Sequence, residues 1–331
     1  MTVFPNGEKL LRRNMAKLLY VVHRYAPFPG GSENYVRDMA EETLSRGHEV
    51  WVLAGEHQGD LNGVKVSSDA QILNETWDLI VVHGGDVNVQ NFVLSNASKI
   101  KSPILYQLIL PSESPTCLKA LQECKYLGCS TTADWKHIRK HNILRKGIAV
   151  RHGIDEKISI GMQGFREKYG IKTKNMFLSC GGYWPNKAMH ELVEVFNNAQ
   201  VPDTTLVLTG YDNRHGLMPN ESEFVKPFLI DSRADVMSAI READLYILHS
   251  YSEGFGLVLL ESMLNKTQWV ARNIAGAETM KDFGMVYDTD EQLVNILKTF
   301  KSDKELIDKS YEYVTLNRLI GNTVDDILRC V

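Results

Sequence analysis

Glu253 and Glu261 stand eight positions apart around Gly254-Phe255-Gly256, a turn that runs straight into the apolar stretch Leu257-Val258-Leu259-Leu260. Glycine permits backbone shapes that a side chain forbids, and a helix N-terminus turns unpaired N–H groups and the positive end of its dipole toward an anion. A carboxylate on each side of such a turn suits a diphosphate joined to sugars. Amides meet the phosphate oxygens, and a carboxylate accepts hydrogen bonds from a diol. Glu261 interrupts an apolar run that Met263-Leu264 continues, so its charge needs a polar partner, which ribose hydroxyls would supply. A plainer account has Glu253 offsetting the dipole and Glu261 facing solvent on a polar stripe.

Two more turns have the same character. Gly181-Gly182-Tyr183-Trp184-Pro185-Asn186-Lys187 follows the strand-like Met176-Phe177-Leu178-Ser179-Cys180 and precedes a helical pattern. A lysine in the first turn of a helix opposes the dipole, so a bound phosphate explains Lys187 better than helix stability does, a solvated surface lysine being the alternative. Gly30-Gly31-Ser32-Glu33 follows the first strand, and its amides could approach a phosphate or a sugar. A tight corner alone would also use this glycine pair, whose spacing is not that of the dinucleotide fingerprint. His83 ends the strand Asp78-Leu79-Ile80-Val81-Val82, where it could position a hydroxyl, carry a proton, or merely bond a neighbouring carbonyl. Asp86 follows as a hydroxyl ligand or a helix N-cap. Asp288-Thr289-Asp290 precedes a helical pattern, so Asp290 reads as an N-cap, not as half of a metal site. No Ser-His-Asp elbow, Walker loop or metal-spaced His pair is expected, and no metal ligand is assigned.

The elements that must hold these residues alternate along the chain. Lys17 to Val22 is a continuous apolar run that enters Pro27-Phe28-Pro29-Gly30-Gly31, as a buried parallel strand enters a loop. A helix follows, with Ser32 as the expected N-cap and Gly47 as its left-handed stop. Strand and helix patterns then alternate through Ile148 to Arg151, and a second alternating series begins at Met176. The expected class is α/β, with two doubly wound Rossmann-like domains facing a cleft. Residues 1–152 form one domain, 153–310 the other, and 311–331 a helix folding back on the first. Strand C-terminal ends from both domains face the cleft, where a ligand belongs.

Composition narrows the partners. The chain has 331 residues, 44% hydrophobic and 24% charged, and a formal charge of −4, which gives no general attraction for nucleic acid or anionic lipid. Its five cysteines lack C-x-x-C spacing and read as reduced thiols of a cytosolic protein. No apolar run approaches the ~20 residues of a membrane span, and residues 1–17 do not read as a secretory signal.

Together these motifs resemble the GT-B nucleotide-sugar glycosyltransferases, and among them the large retaining family 4. The resemblance rests on Pro29-Gly30-Gly31-Ser32-Glu33, Arg151-His152-Gly153-Ile154-Asp155, the Gly181 to Lys187 loop, Ala243 to Leu248, and above all Glu253 to Glu261. It implies that Glu261 holds the donor ribose, that Glu253 contacts the transferred sugar, and that the amides of Phe255, Gly256 and Leu257 meet sugar and diphosphate. Lys187 would neutralise the leaving diphosphate without a metal. Gly182 stands where the family usually has an arginine, and Ile109-Leu110 where it often has a histidine; His83 and Glu113 are the polar residues expected nearby. The resulting expectation is a cytoplasmic, metal-independent, retaining hexosyltransferase-like enzyme, with contact to a membrane surface as a variant. It would move a sugar from a nucleoside-diphosphate donor to a glycan, lipid-linked or small-molecule acceptor. No cofactor is expected beyond that donor. A nucleotide-sugar epimerase and a non-catalytic binding subunit are the alternatives, and the oligomeric state is left open.

Overall fold

A computed structural model describes residues 15–56, 59–84, 87–159 and 163–331. Asp86 and residues 1–14 lie outside these. The first half reads β1 (Lys17–Arg24), α1 (Gly31–Ser45), β2 (Glu49–Glu56), β3 (Lys65–Ser67), β4 (Leu79–His83), α2 (Val87–Asn96), β5 (Ile104–Gln107), α3 (Pro115–Glu123), β6 (Tyr126–Cys129), α4 (Thr132–Lys140) and β7 (Gly147–Ala149). The second reads α5 (Phe165–Lys168), β8 (Asn175–Cys180), α6 (Met189–Ala199), β9 (Thr204–Gly210), β10 (Val225–Leu229), α7 (Arg233–Glu242), β11 (Leu245–Leu248), α8 (Leu257–Leu264), β12 (Gln268–Arg272), α9 (Ala275–Thr279) and β13 (Met285–Tyr287). It closes with α10 (Asp290–Thr299), α11 (Lys304–Asn317) and α12 (Ile320–Leu328).

The strands form two sheets, ordered β3-β2-β1-β4-β5-β6-β7 and β10-β9-β8-β11-β12-β13. Their main ladders are parallel, so each sheet must be covered by helices on both faces. β1 shows why. Leu18, Tyr20 and Val22 pack on one face with Tyr35, Val36 and Met39 of α1, while Leu19 and Val21 pack on the other with Trp77, Ile80 and Leu121. The same division separates Met176 and Leu178 of β8 from Phe177 between them. Strand order reverses beside β1 in one sheet and beside β8 in the other, which puts a crevice at the C-terminal ends of both.

Local details differ from the sequence reading at three helix starts. Gly30, not Ser32, occupies the N-cap of α1, and no side chain caps it. Thr289 caps α10 through a capping box, which moves Asp290 into the first turn, where it meets Arg272 at 3.0 Å. Lys187 sits in a 3-10 turn, Pro185–Lys187, set off from α6 by Ala188 in a left-handed conformation. Its relation to the α6 dipole is therefore looser than a first-turn position implies.

The chain crosses between the halves twice. Ile154 and Leu319 form a parallel bridge, with Ile154 N–H donating to the Arg318 carbonyl at 2.9 Å and Ile320 N–H to the Ile154 carbonyl at 2.7 Å. α11 packs on α8, whereas α12 packs on α1, where Ile320 and Ile327 join the core of the first sheet. Arg151 forks onto buried Asp326 at 2.7 and 2.8 Å, and Arg46 reaches Asp325 at 2.8 Å.

Candidate functional site

Between the sheets lies a cavity of ≈ 830 Å³, walled by the loops that leave β1, β4, β8 and β11. Gly30, Gly31, His83, Gly181, Gly182, Lys187, Glu253, Gly254, Phe255, Gly256, Leu257 and Glu261 all line it. Residues more than two hundred positions apart thus meet because both sheets present strand C-terminal ends to one crevice.

The α8 turn is built by its glycines. Gly256 takes φ +83 at the N-cap, a left-handed shape that strains any side chain, and so frees Leu257 to begin the helix. A Cβ on Gly254 would collide with Ile109 Cγ2, so the two domains touch at this turn. Phe255 is buried, its ring stacked on His152 at 4.9 Å and 25°, and the Arg318 guanidinium lies over it at 5.5 Å.

Glu261 is one turn further along α8. Among the described residues its carboxylate has no hydrogen-bond or ion-pair partner, and burial alone pushes it up from 4.5 to about 7. A desolvated carboxylate without a partner is costly until hydrogen-bond donors reach it. The solvent-facing position that sequence periodicity permitted does not occur: Glu261 faces the cavity.

Lys187 and Glu253 form an ion pair through Nζ and Oε1, with only 17% and 15% of their side chains exposed. The other cations of the cavity wall are matched as well. Arg24 meets Glu33 at 3.1 Å, while Arg37 and Arg233 share buried Asp38, each at 2.8 Å. Arg233 comes from the second half and Asp38 from the first, so this pair joins the two walls. Arg214 lies outside the cavity, exposed and paired with Asp212. The space beside Gly182 is filled: a Cβ there would come within 2.8 Å of the Trp184 indole nitrogen, which leaves no room for an arginine stem.

His83 is buried beside Tyr35, ring centroids 4.9 Å apart, and its Nδ1 lies 3.0 Å from Gln107 Oε1. Gln107 turns its Nε2 to Tyr35 Oη at 3.5 Å, so its carbonyl faces His83. With the amide in that orientation Nδ1 is the donor to Gln107, which leaves Nε2 as the accepting atom. Burial lowers this imidazole to about 4 and keeps it neutral near pH 7. Glu113, expected near the same strand end, is not in the cavity wall; it meets His137, Lys140 and His141 instead. His249, at the β11 end, is spent on Tyr287 and Arg272 beneath the turn.

His152 is the residue whose chemistry sequence reasoning passed over. It lies in the cavity wall, sandwiched between Tyr35 at 5.0 Å and Phe255 at 4.9 Å, with a buried Nδ1 that has no partner among the described residues. Its signal was its place just after β7, where the chain enters the crossing. The metal-spaced His pair that was not expected also exists: His137 and His141 stand four apart, with ring centroids at 4.7 Å. The spacing H-x-x-x-H was visible, and only the helix beneath it brings the rings together.

Residues 162–315 match the family model for glycosyl transferases group 1, a span that contains the α8 turn, Lys187 and Glu261. Solved structures align over the whole length. HepE of Anabaena, determined with UDP-glucose, aligns with a TM-score of 0.75 at 18% identity, covering 96% of this chain and 100% of HepE. The chain has the GT-B fold. A glycosyltransferase from Rickettsia africae (0.75, 16%, 96% and 97%) and sucrose-phosphate synthase from Thermosynechococcus elongatus (0.73, 15%, 95% and 98%) share the GT-B architecture. No curated protein matches the chain by sequence. The GT-B cleft is the cavity described above, and the residues that match the group 1 model supply one of its walls.

Proposed function

We propose that this protein is a retaining glycosyltransferase that moves a hexosyl group from a nucleoside-diphosphate sugar to an acceptor hydroxyl without a metal. The observation that carries the reading is Glu261, an ionisable group left without a partner in the wall of an interdomain cleft. The two hydroxyls of a ribose would satisfy it. With the ribose there, the diphosphate falls at the α8 N-terminus and Lys187, and the sugar beside Glu253. Because HepE was solved with UDP-glucose, uridine diphosphate sugars are the first donors to test.

In the step itself the anomeric carbon–oxygen bond to the diphosphate breaks, and its electron pair leaves with the phosphate. The acceptor oxygen bonds to the anomeric carbon from the same face, and its proton passes to the departing phosphate oxygen. Lys187 must leave Glu253 for the diphosphate as charge grows there. His83 is too weakly basic to take the proton, so its role is to accept a hydrogen bond from the acceptor hydroxyl and orient it. Residues 1–152 would bind the acceptor and 153–310 the donor. Among the described residues no helix is long and apolar enough to cross a membrane. We place the enzyme in the cytoplasm, touching a membrane surface only if its acceptor is lipid-linked.

The test is release of nucleoside diphosphate with and without candidate acceptors, beside a thermal-shift series of nucleoside diphosphates. Acceptor-dependent release supports transfer, while isomerised donor would point to an epimerase. A ligand bound only by the native state raises its apparent stability. A second reading, a non-catalytic donor-binding subunit, is favoured by the carboxylate partner beside each of the cavity-wall cations named above. It predicts the thermal shift with no release. No shift with any nucleoside diphosphate would remove both readings.

A further inference from the structure

The loop between β5 and α3 carries Glu113 to the end of α4, where His137 and His141 stand one turn apart. Glu113 Oε2 lies 2.8 Å from His141 Nε2, and Oε1 lies 3.6 Å from His137 Nδ1. One ligating atom from each residue falls within 4.8 Å of the other two. His137 is buried at 8% exposure, and its second nitrogen, Nε2, is also buried with no partner among the described residues. At 3.6 Å the first nitrogen is beyond normal hydrogen-bond length, so this imidazole faces a carboxylate across a gap.

Such a gap has a chemical meaning. Two ligands held ~2.0–2.1 Å from a tetrahedral zinc ion stand roughly 3.3 Å from each other, close to the His137–Glu113 separation. Two imidazoles and one carboxylate are a donor set for zinc and its first-row neighbours, whereas magnesium and calcium take oxygen ligands. Glu113 now meets Lys140 at 3.0 Å, but both side chains are more than half exposed, and a pair of that kind contributes little. A divalent ion would take over its charge while Lys140 turned to solvent.

We propose that Glu113, His137 and His141 form a binding site for a divalent first-row transition-metal ion of the zinc class. Three protein ligands leave one position for water on the exposed side. The ion would tie the β5–α3 loop to the end of α4. That same loop carries Ile109, which closes on Gly254, so the clamp lies beside the cleft but uses none of its residues.

The experiment uses untagged full-length protein stripped with chelator, without nucleotide, so that its outcome is independent of the donor reading. Zinc is titrated calorimetrically, and cobalt(II) is followed by the visible absorption of tetrahedral coordination. One equivalent should bind, with an intense cobalt spectrum. His141→Ala and Glu113→Gln, both at positions that are not buried, should each weaken binding at least about tenfold. Exposed His215→Ala should leave it unchanged. Magnesium in excess should not compete. Equal zinc affinity in wild type and both site variants, or a cobalt spectrum of the weak aqueous type, would overturn the proposal.

Discussion

At Glu261 one carboxylate is asked to be stable and useful at once. Its proton is held more tightly in the folded chain, at about 7, than in the unfolded chain near 4.5. The stability linked to this group is therefore complete below pH 4.5 and is lost as pH rises through 7, by at most about 3 kcal/mol. Glu261→Gln should raise the melting temperature over wild type at pH 8 and have little effect at pH 4.5. The same substitution should weaken nucleoside diphosphate binding at least tenfold, since charged hydrogen bonds contribute roughly 1.5–3 kcal/mol each. A glutamine variant less stable than wild type at pH 8 would show that the carboxylate has a partner in the folded protein. Lys187→Ala should cut turnover more than acceptor affinity, because its charge matters most as the diphosphate departs. Glu253→Gln frees Lys187 from its ion pair, so product nucleoside diphosphate should bind more tightly to that variant. An unchanged product affinity would mean that Lys187 does not reach the diphosphate.

The elements differ in how far local sequence reveals them. A run such as Leu18 to Val22 must be a strand buried on both faces, because no face of it is polar, and a glycine corner after it leaves few places for a ligand but the strand end. That made the two sheets, the cleft and the α8 turn legible. What escaped depends on contacts between distant residues or on small backbone choices. Pro185 opens the 3-10 turn at Lys187, but nothing local shows that Ala188 breaks it from α6, and no proline or glycine separates α11 from α12 at Arg318-Leu319. Gly182 read as a lost arginine, yet the indole two residues on occupies that space. Asp38 and Arg233 are 195 positions apart, so their union is invisible to any window of sequence. Gly276 gives an element-scale prediction. A Cβ there would overlap the Phe255 carbonyl, so α9 could no longer seat against the α8 turn. Gly276→Ala should destabilise by more than about 3 kcal/mol or displace the turn. A variant with wild-type melting temperature and donor affinity would show that the contact yields.

Across the whole molecule, the Asp38–Arg233 pair joins α1 of one half to α7 of the other at 2.8 and 3.1 Å. Arg233→Met leaves Asp38 with Arg37 alone, and Asp38→Asn strands Arg233 while leaving Arg37 only Glu41, at 3.9 Å. Breaking a buried pair from one side costs about 3–5 kcal/mol, while replacing both partners costs far less. The double variant should therefore be more stable than the sum of the single effects predicts, by 0.5–3 kcal/mol or so in a double-mutant cycle. Strict additivity in urea unfolding would show that the two walls are not coupled here. The paired crossings at Ile154 and Leu319 set a geometric limit on the motion such coupling resists. Two covalent connections, side by side and hydrogen-bonded, allow rotation about the line through them but oppose sliding and twisting. Opening about that line, as a book opens on its spine, is the motion the two crossings resist least, so a ligand held by both walls acts first on that angle.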